Sequence, residues 1–285
     1  MKRIRIDGTP VVNMSGGKDS TAMLLRMLEE GVKVKHALFF DTGWEFPEME
    51  AHLEKLAAYT GVQIRRLRPH KSFDYHMTAK PIVKRNGKMQ YGQGWPSIKR
   101  RWCTKYKVLA LEAAARALSY TEKLPIVQCI GFSFDEIDRA ERMANRARTS
   151  TEIIRARFPL IEWRMSERDC LDYCYKRGFR WDGLYDVFSR VSCFCCPLQG
   201  KGSLAALKSN YPRLFNRMLK MEDRISEGVP KWFTMDNKTV HDLDREFSEK
   251  AQRSNTPPPR QDNDAGVFRG AWRAVRAGLA RLATR

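Results

Sequence analysis

The chain has 285 residues and a formal net charge of +19, with 30% of its residues charged and 42% hydrophobic. This length is enough to bury the core of one or two domains, and no apolar run approaches the roughly 18–20 residues of a membrane span. The first residues lack the apolar segment of a secretion signal and the seven cysteines are unevenly clustered, so we expect a cytoplasmic protein with reduced or metal-bound thiols.

The first predicted elements are an apolar strand at residues 11–14 and a helix that follows the sequence SGGKDS at 15–20. Glycines allow a backbone to approach an anion closely, and the first turn of a helix offers free N–H groups and a positive dipole. Lys18 adds a positive charge, while Asp19 would either cap the helix or approach a metal ion. The pattern favours a phosphate-binding loop over an ordinary strand-to-helix turn. Its predicted phosphate ligands are Ser15, Gly16, Gly17, Lys18 and Ser20.

Further apolar strands are predicted at residues 34–40, 62–67 and 126–130, alternating with helical patterns at 47–59 and 105–118. Strands that alternate with helices predict an α/β fold, a Rossmann-like parallel sheet with helices on both faces. In such a sheet the ligand crevice lies beyond the carboxyl ends of the strands. Three polar segments follow predicted strands and should converge there, at residues 15–20, 41–43 and 131–135.

Residues 61–107 form a basic segment that contains thirteen lysines and arginines but a single acid, Asp74. Aromatic residues lie between the cations, and the polar stretch at 80–96 is typical of a hairpin or mobile loop. A basic surface with aromatic side chains is typical of nucleic-acid binding. A solvated face that serves one nucleotide is the alternative, but it needs fewer charges. We therefore predict RNA or DNA as a partner in addition to a nucleotide.

The sequence CFCCP at residues 193–197 places Cys193 and Cys196 at a spacing that lets two thiolates reach one metal ion. Cys103 lies in a basic segment that favours the thiolate. All-sulfur ligation selects zinc or an iron–sulfur cluster. Structural zinc held by these three cysteines and Cys195 is one alternative, and thiols without a metal are another. Three further cysteines are predicted to be buried and inert: Cys129, Cys170 and Cys174.

The remaining sequence predicts a domain organisation in four parts. A nucleotide-binding domain would span residues 1–165, and a helical region with the cysteine cluster, beginning at a capped helix, would span 166–250. A proline-containing linker is predicted at 251–264 and a basic amphipathic helix at 265–285. That helix would bind nucleic acid, an acidic membrane surface, a partner protein or its own domain. The oligomeric state stays open, with a homodimer among the options.

Several of these motifs together resemble those of a known family. The loop SGGKDS resembles the SGGxDS loop of the PP-loop ATP pyrophosphatase superfamily, and FDTGWEFPE at 40–48 is similar to the FDTGxxFPE signature of its phosphoadenosine phosphosulfate (PAPS) reductase branch. RWCT at 101–104 and PLIEW at 159–163 follow in the order of that branch. The resemblance covers about residues 10–200.

The resemblance implies that ATP is cut between its α and β phosphates, so that a substrate is adenylated, pyrophosphate leaves and a nucleophile then displaces AMP. Mg²⁺ would be held by Asp135 or Glu136. The implied catalytic residues are Lys18, Asp19, Asp41 and Cys195. The implied nucleotide contacts beyond the phosphate loop are Asp41, Thr42, Gly131 and Arg139.

Related PP-loop sulfurtransferases hold a [4Fe-4S] cluster on three cysteines and leave one iron open for sulfide. By this resemblance, Cys103, Cys193 and Cys196 would be the ligands, with Cys195 as a spare thiol or a fourth ligand. The resulting interpretation is sulfur transfer to nucleic acid. Two alternatives stay open. One is a PAPS or adenosine phosphosulfate reductase, although the segment after residue 251 contains no cysteine. The other is a nucleotide-sensing, nucleic-acid-binding module without turnover.

Overall fold

The computed structural model describes residues 3–97, 100–122, 125–147, 154–234 and 236–255. Met1–Arg245 form one compact unit and Glu246–Arg285 a second, in which only the end of a helix is described. The boundary predicted at residue 165 falls inside the first unit and stays a prediction. None of the described helices is long and apolar enough to cross a membrane.

In chain order the elements are β1 (Thr9–Met14), α1 (Lys18–Glu29), β2 (His36–Phe40), α2 (Pro47–Thr60), β3 (Ile64–Leu67), α3 (Phe73–Thr78), β4 (Pro81–Val83), β5 (Met89–Tyr91), α4 (Trp102–Glu122), β6 (Ile126–Ile130), α5 (Ile137–Ala147), β7 (Ile154–Arg157), α6 (Pro159–Glu162), α7 (Glu167–Tyr175), α8 (Leu184–Val187), α9 (Lys201–Asn210), α10 (Pro212–Asp223) and α11 (Val240–Asn255).

A five-stranded sheet in the order β3-β2-β1-β6-β7 forms the centre of the first unit, and all of its neighbouring strands are parallel. Consecutive residues of β1 are buried, including Val11 and Val12, so both faces of the sheet are covered. On one face Val11 and Leu38 pack against Leu111, Ala115 and neighbouring residues of α4. The predicted Rossmann-like fold with helices on both faces is confirmed.

The order of the strands in the sheet indicates where the ligand crevice lies. The chain moves outward from β1 through β2 to β3, and then returns to the other side of β1 with β6. The carboxyl ends of β1 and β6 therefore flank a topological switch point, where open α/β sheets bind their ligands.

Several local predictions correspond to the observed elements and others need correction. The predicted hairpin at 80–96 contains the antiparallel pair β4–β5. The helix predicted from residue 105 begins at Trp102, which puts Cys103 in its first turn. The strand β7, with the sequence IRAR, was not predicted because its alternate residues are arginines rather than an apolar run.

The region after residue 165 is largely helical, as predicted. Ser166 caps α7 in a reciprocal arrangement with Asp169, in agreement with the predicted helix start. The predicted linker at 251–264 needs correction at its beginning, because α11 continues to Asn255. The rest of that linker and the predicted helix at 265–285 lie outside the described residues.

Candidate functional site

Gly16 lies in the loop after β1. Any other residue at this position would be strained, both by the backbone conformation and by neighbouring atoms. Its φ angle is +79°, in the left-handed region that favours glycine, and an added Cβ would lie 2.2 Å from Sδ of Met49. The Gly16 carbonyl accepts a 2.8 Å hydrogen bond from Nε1 of the buried Trp181. Met49 on α2 and Trp181 in the segment before α8 thus both contact the turn and hold its conformation.

The two serines of the loop hold the turn itself. The Ser20 hydroxyl accepts from the Ser15 amide at 3.1 Å and lies 3.2 Å from the Gly17 carbonyl, to which it donates. The Ser15 and Ser20 hydroxyls lie 3.1 Å apart. Within the described structure, the amides of Gly16 and Asp19 have no acceptor. The two serines thus organise a loop whose free donors are backbone amides, and their predicted contacts with phosphate stay a prediction.

Gly131, at the end of β6, lies against this loop as its position after a neighbouring strand predicted. A Cβ on Gly131 would lie 3.1 Å from both Cα and N of Ser20. The absence of a side chain therefore lets β6 approach the first turn of α1 closely. Gly131 shapes the crevice through this contact.

Lys18 forms two ion pairs at the start of α1. Its Nζ lies 2.8 Å from Oε2 of Glu167 and 3.3 Å from Oδ2 of Asp19. Burial lowers the pKa of Lys18, but the two carboxylates outweigh burial and raise the pKa above its ordinary value. The Lys18 amide donates a 2.7 Å hydrogen bond to the hydroxyl of Tyr185. An incoming phosphate would compete with Glu167 for the ammonium and with Tyr185 for the amide.

Asp19 is a buried carboxylate with an altered protonation equilibrium. Burial raises its pKa to about 6, the charge of Glu167 adds to this rise, and Lys18 opposes it. Its Oδ1 atom is buried without a hydrogen-bond partner in the described structure. Cys170 and Cys174 are fully buried behind the loop, as predicted, and burial raises the pKa of each thiol. Asp19 is therefore the titratable carboxylate of the loop, and its predicted catalytic role is untested.

The loop after β2 forms the adjacent part of the rim. Asp41 accepts from Nε of Arg68 and from the amide of Gly43, both at 2.8 Å. Thr42 donates its hydroxyl to Oε1 of Glu45 at 2.6 Å. Burial raises the pKa of Glu45, and hydrogen bonds from Thr42 oppose this effect. Asp41 and Thr42 thus lie at the rim as predicted, but both are engaged within their own loop.

The cysteine segment is joined to this second loop. Cys193 pairs with Glu45 in an isolated antiparallel bridge, and the Phe194 amide donates to the Trp44 carbonyl at 2.9 Å. The Cys193 Sγ atom lies 3.4 Å from the Thr42 hydroxyl. A tight turn follows, in which the Cys196 amide donates to the Cys193 carbonyl at 3.1 Å.

The thiols of Cys103, Cys193, Cys195 and Cys196 come from two segments of the chain and none is in a disulfide. Burial raises the pKa of the first three thiols, and the pKa of Cys103 is also raised by its neighbour Cys196. This donor set fits zinc or an iron–sulfur cluster chemically. However, no three His, Cys, Asp or Glu side chains of the described residues lie in a group that could hold a metal ion. Binding would therefore have to draw the thiols together and release their protons.

The predicted phosphate and magnesium ligands after β6 are occupied by protein contacts. Nη1 of Arg139 lies 2.6 Å from Oε1 of Glu136, and its guanidinium stacks on Phe132. Asp135 accepts from the Glu167 amide at 2.7 Å. Their predicted ligand roles stay predictions.

Sequence reasoning missed four residues that shape the site. Glu45 belongs to the FDTGWEFPE motif, which is its only sequence signal, and its contact with Cys193 joins positions 148 residues apart. The other three contact the loop across more than 145 positions of the chain and have no local signal: Glu167, Trp181 and Tyr185.

Comparison with protein families gives one match over most of the chain. A family model described as the phosphoadenosine phosphosulfate reductase domain matches residues 9–199. Two uncharacterized proteins of Methanocaldococcus jannaschii, MJ0066 and MJ0973, are each 25% identical to the chain, over 209 and 245 residues. The matches cover 73% and 77% of this chain but 40% and 51% of those proteins, so the chain spans about half the length of these relatives or less.

Two solved structures share a distant likeness. The U34-tRNA thiolase NcsA from Methanococcus maripaludis with its [4Fe-4S] cluster has a TM-score of 0.45 and 14% identity, with coverage of 92% of this chain and 80% of that chain. The PAPS reductase from Candida auris in a phosphate complex has a TM-score of 0.41 and 15% identity, with coverage of 65% and 81%. Neither likeness supports a statement about the activity of this chain.

Proposed function

The chain belongs to the phosphoadenosine phosphosulfate reductase domain family, and from this premise we propose that it is an ATP-dependent enzyme that adenylates a substrate, releases pyrophosphate and transfers sulfur to that substrate. The proposed acceptor is a group in nucleic acid. The predicted membership of the family is confirmed, whereas the adenylation, the sulfur transfer and the acceptor are proposals.

One observation carries the proposal: the phosphate loop and the cysteine segment lie side by side. A Cβ on Gly17 would lie 3.4 Å from the carbonyl oxygen of Val191, two residues before Cys193. Cys193 in turn contacts Thr42 on the loop after β2, the strand next to β1. Nucleotide activation and thiol chemistry can therefore act on one substrate at one edge of the sheet.

The phosphate loop would carry the activation step. A substrate oxygen attacks the α-phosphorus, the bond to the bridging oxygen of the β-phosphate breaks, and pyrophosphate leaves with its electron pair. The amides of Gly16 and Asp19 and the ammonium of Lys18 would stabilise the charge that develops on the phosphates. Mg²⁺ usually needs only one or two carboxylates in addition to phosphate oxygens, and Asp19, within the loop, has an oxygen without a hydrogen-bond partner in the described structure.

The cysteines would serve the second step, in which a sulfur nucleophile of the sulfide class attacks the adenylated carbon and AMP leaves. No net oxidation or reduction occurs, because sulfur replaces oxygen at the same carbon. Cys103, Cys193 and Cys196 would hold a cluster, and such a group supplies an open iron position for sulfide. Cys195 is buried beside them, which leaves it as a fourth ligand or a spare thiol.

The activation step is tested by measuring pyrophosphate release from ATP with Lys18→Gln and, as a control, Lys33→Gln on the exposed surface. We expect release to fall by at least about a hundredfold in the first variant and to stay unchanged in the control. Equal rates in the two variants would overturn the activation step. If the wild type binds nucleic acid but releases no pyrophosphate, the alternative of a nucleotide-sensing module without turnover is favoured.

The thiol site is tested by metal analysis of protein purified without oxygen, together with its visible absorption spectrum. About four irons per chain and a brown colour, lost in Cys193→Ser and retained in Cys129→Ala, would support the cluster. One zinc per chain would favour the structural alternative, and the absence of both metals would overturn the sulfur-transfer mechanism. Release of sulfite from PAPS would instead establish the reductase alternative.

A further inference from the structure

A second concave surface lies away from the phosphate loop, between the β4–β5 hairpin and the start of α4. This groove has a volume of about 480 Å³. Ile82 and Gln90 line it from the hairpin, and Gln93 lines it from the segment that follows. The opposite wall is formed by the residues that lead into α4, including Arg100, Arg101 and Lys105. We call this surface the hairpin groove.

The polar residues that line the hairpin groove are cations and amides, next to Ile82 and Trp102, and none of the described residues that line it is a carboxylate. Arg100 donates from Nη1 to the Gln93 carbonyl at 3.1 Å, which orients its guanidinium. Within the described part of the chain, Arg101 and Lys105 form no ion pair, and both are exposed. The groove therefore presents two exposed cations beside the guanidinium of Arg100, a concentration of positive charge that favours an anion.

The walls of the groove are held in place by contacts that do not use these cations. Nε1 of the buried Trp102 donates to the Gly94 carbonyl at 3.3 Å, which fixes the start of α4 to the base of the hairpin. Nζ of Lys80 donates to the hydroxyl of Tyr106 at 2.6 Å, one turn further along α4. A preformed groove with fixed walls loses little conformational entropy when it binds a ligand.

We propose that the hairpin groove binds the phosphodiester backbone of a single-stranded segment of nucleic acid. This inference rests on the proposed function and assigns the surface that holds its acceptor. A single strand is specified because Trp102 lines the groove beside the cations, and an aromatic side chain next to positive charge suits a strand whose bases are unpaired. Trp102, which lines the groove, is followed by Cys103 in the first turn of α4, so the groove lies beside the segment that carries one of the predicted cluster ligands. The groove lies outside the phosphate loop, which binds the nucleotide.

Binding is tested by fluorescence anisotropy with a short labelled RNA strand and its DNA counterpart, using the full-length protein. The groove variant is Arg101→Gln with Lys105→Gln. The matched control is Lys33→Gln with Lys176→Gln, which removes the same charge from exposed positions elsewhere. We expect the groove variant to bind at least about tenfold more weakly and the control to bind like the wild type.

The salt dependence gives a second readout. Each phosphate contact to a single strand contributes about 0.7 to the slope of log affinity against log salt. The slope should therefore decrease by about 1.4 in the groove variant. If the wild type binds one of the two strands more tightly, that strand, RNA or DNA, is identified as the preferred ligand of the groove.

Equal losses in the groove variant and the control would overturn the proposal, because they would show a non-specific effect of net charge. Displacement of the strand by pyrophosphate, together with loss of ATP binding in the groove variant, would also overturn it, since the groove would then be part of the nucleotide site. Pyrophosphate release in the wild type is measured in parallel. If release fails while the groove variant still loses strand binding, the proposed function falls and the groove assignment stands.

Discussion

At the scale of single residues, a comparison of Gly16 with Gly31 separates the cost of a left-handed backbone conformation from the cost of a steric clash. Its φ of +79° and the approach to Met49 both oppose a side chain, whereas Gly31, at φ +84°, has nothing within 4 Å of an added Cβ. We expect Gly31→Ala to lose about 1–2 kcal/mol of unfolding free energy from the backbone term alone. Gly16→Ala should lose more, and this loss should be smaller when it is measured in a Met49→Ala background against Met49→Ala alone, because truncation of the buried Met49 has a cost of its own. Urea denaturation measures all four variants, and equal losses at the two glycines would contradict the contact with Met49.

Tyr185 provides a second prediction at this scale. Its hydroxyl accepts from the Lys18 amide, a donor for which an incoming phosphate would compete. Tyr185→Phe leaves that amide without an acceptor in the nucleotide-free protein, so phosphate binding no longer has to break this hydrogen bond. We expect ATP to bind about twofold to tenfold more tightly, in line with about 0.5–1.5 kcal/mol for one hydrogen bond. Calorimetric titration measures the affinity, and weaker binding would show that the hydroxyl contacts the nucleotide instead.

At the scale of elements, what could be predicted depends on how local the determining contacts are. The segment β1–loop–α1 was predictable because its apolar run, its glycines and its helix start are consecutive in sequence. The pairing of Lys18 with Glu167 and the hydrogen bond to Tyr185 join positions 149 and 167 residues apart, and no periodicity encodes them. The start of α4 lies three residues before the predicted one, because Trp102, Cys103 and Thr104 do not extend the helical pattern of apolar residues that begins at residue 105.

The packing of α1 against α2 leads to a prediction about pH. His52 on α2 lies 2.9 Å from the Thr21 hydroxyl on α1 and stacks on Trp181. Burial lowers the pKa of His52 to about 3, and Lys55 contributes to this shift. The folded state thus keeps the ring neutral while the unfolded state takes up a proton below about pH 6.5. The stability contributed by His52 is present above that pH and is lost as the pH falls toward 3.

Asp19 has the opposite dependence, because its pKa is raised to about 6 in the folded protein and its stabilising contribution is lost as the pH rises toward 6. The two effects are separated by comparing the wild type with His52→Gln, in which the amide can still bond to Thr21. Between pH 6 and 4 the difference in unfolding free energy should change by up to about 1.4 kcal/mol per pH unit. Parallel curves for the two proteins would show that His52 is protonated in the folded state.

At the scale of the whole molecule, the sequence predicted which segments meet but not how they are joined. The three segments after β1, β2 and β6 do reach one edge of the sheet, since parallel strands end on the same side. The four predicted thiols also come from two neighbouring segments, although the described residues do not hold them in a formed metal site. The basic segment 61–107 divides between β3, α3, the β4–β5 hairpin, the hairpin groove and α4, a division that charge counting cannot resolve.

A buried carboxylate links the rim to the helices that follow it. Glu222, on α10, accepts from Nε1 of Trp95 at 3.1 Å and from the amide of Val240 at 2.8 Å, and its second oxygen accepts from the amide of His241 at 3.0 Å. Trp95 is fully buried and contacts the ring of Trp44, which belongs to the loop after β2. One side chain therefore satisfies donors from segments separated by more than 120 positions of the chain.

Glu222→Gln is expected to destabilise this assembly although it preserves shape. The new amide group must face one of the donors that the carboxylate accepted, which leaves two N–H groups opposed and costs about 1–3 kcal/mol. The matched control is Asp223→Asn, because Asp223 is adjacent but exposed and its pair with His241 lies at the surface. Thermal unfolding followed by tryptophan fluorescence should show a clearly lower midpoint temperature for Glu222→Gln and almost no change in the midpoint for Asp223→Asn. Similar midpoints in the two variants would mean that the three hydrogen bonds to Glu222 add nothing to the free energy of unfolding. Trp95 and the start of α11 would then be held by packing alone.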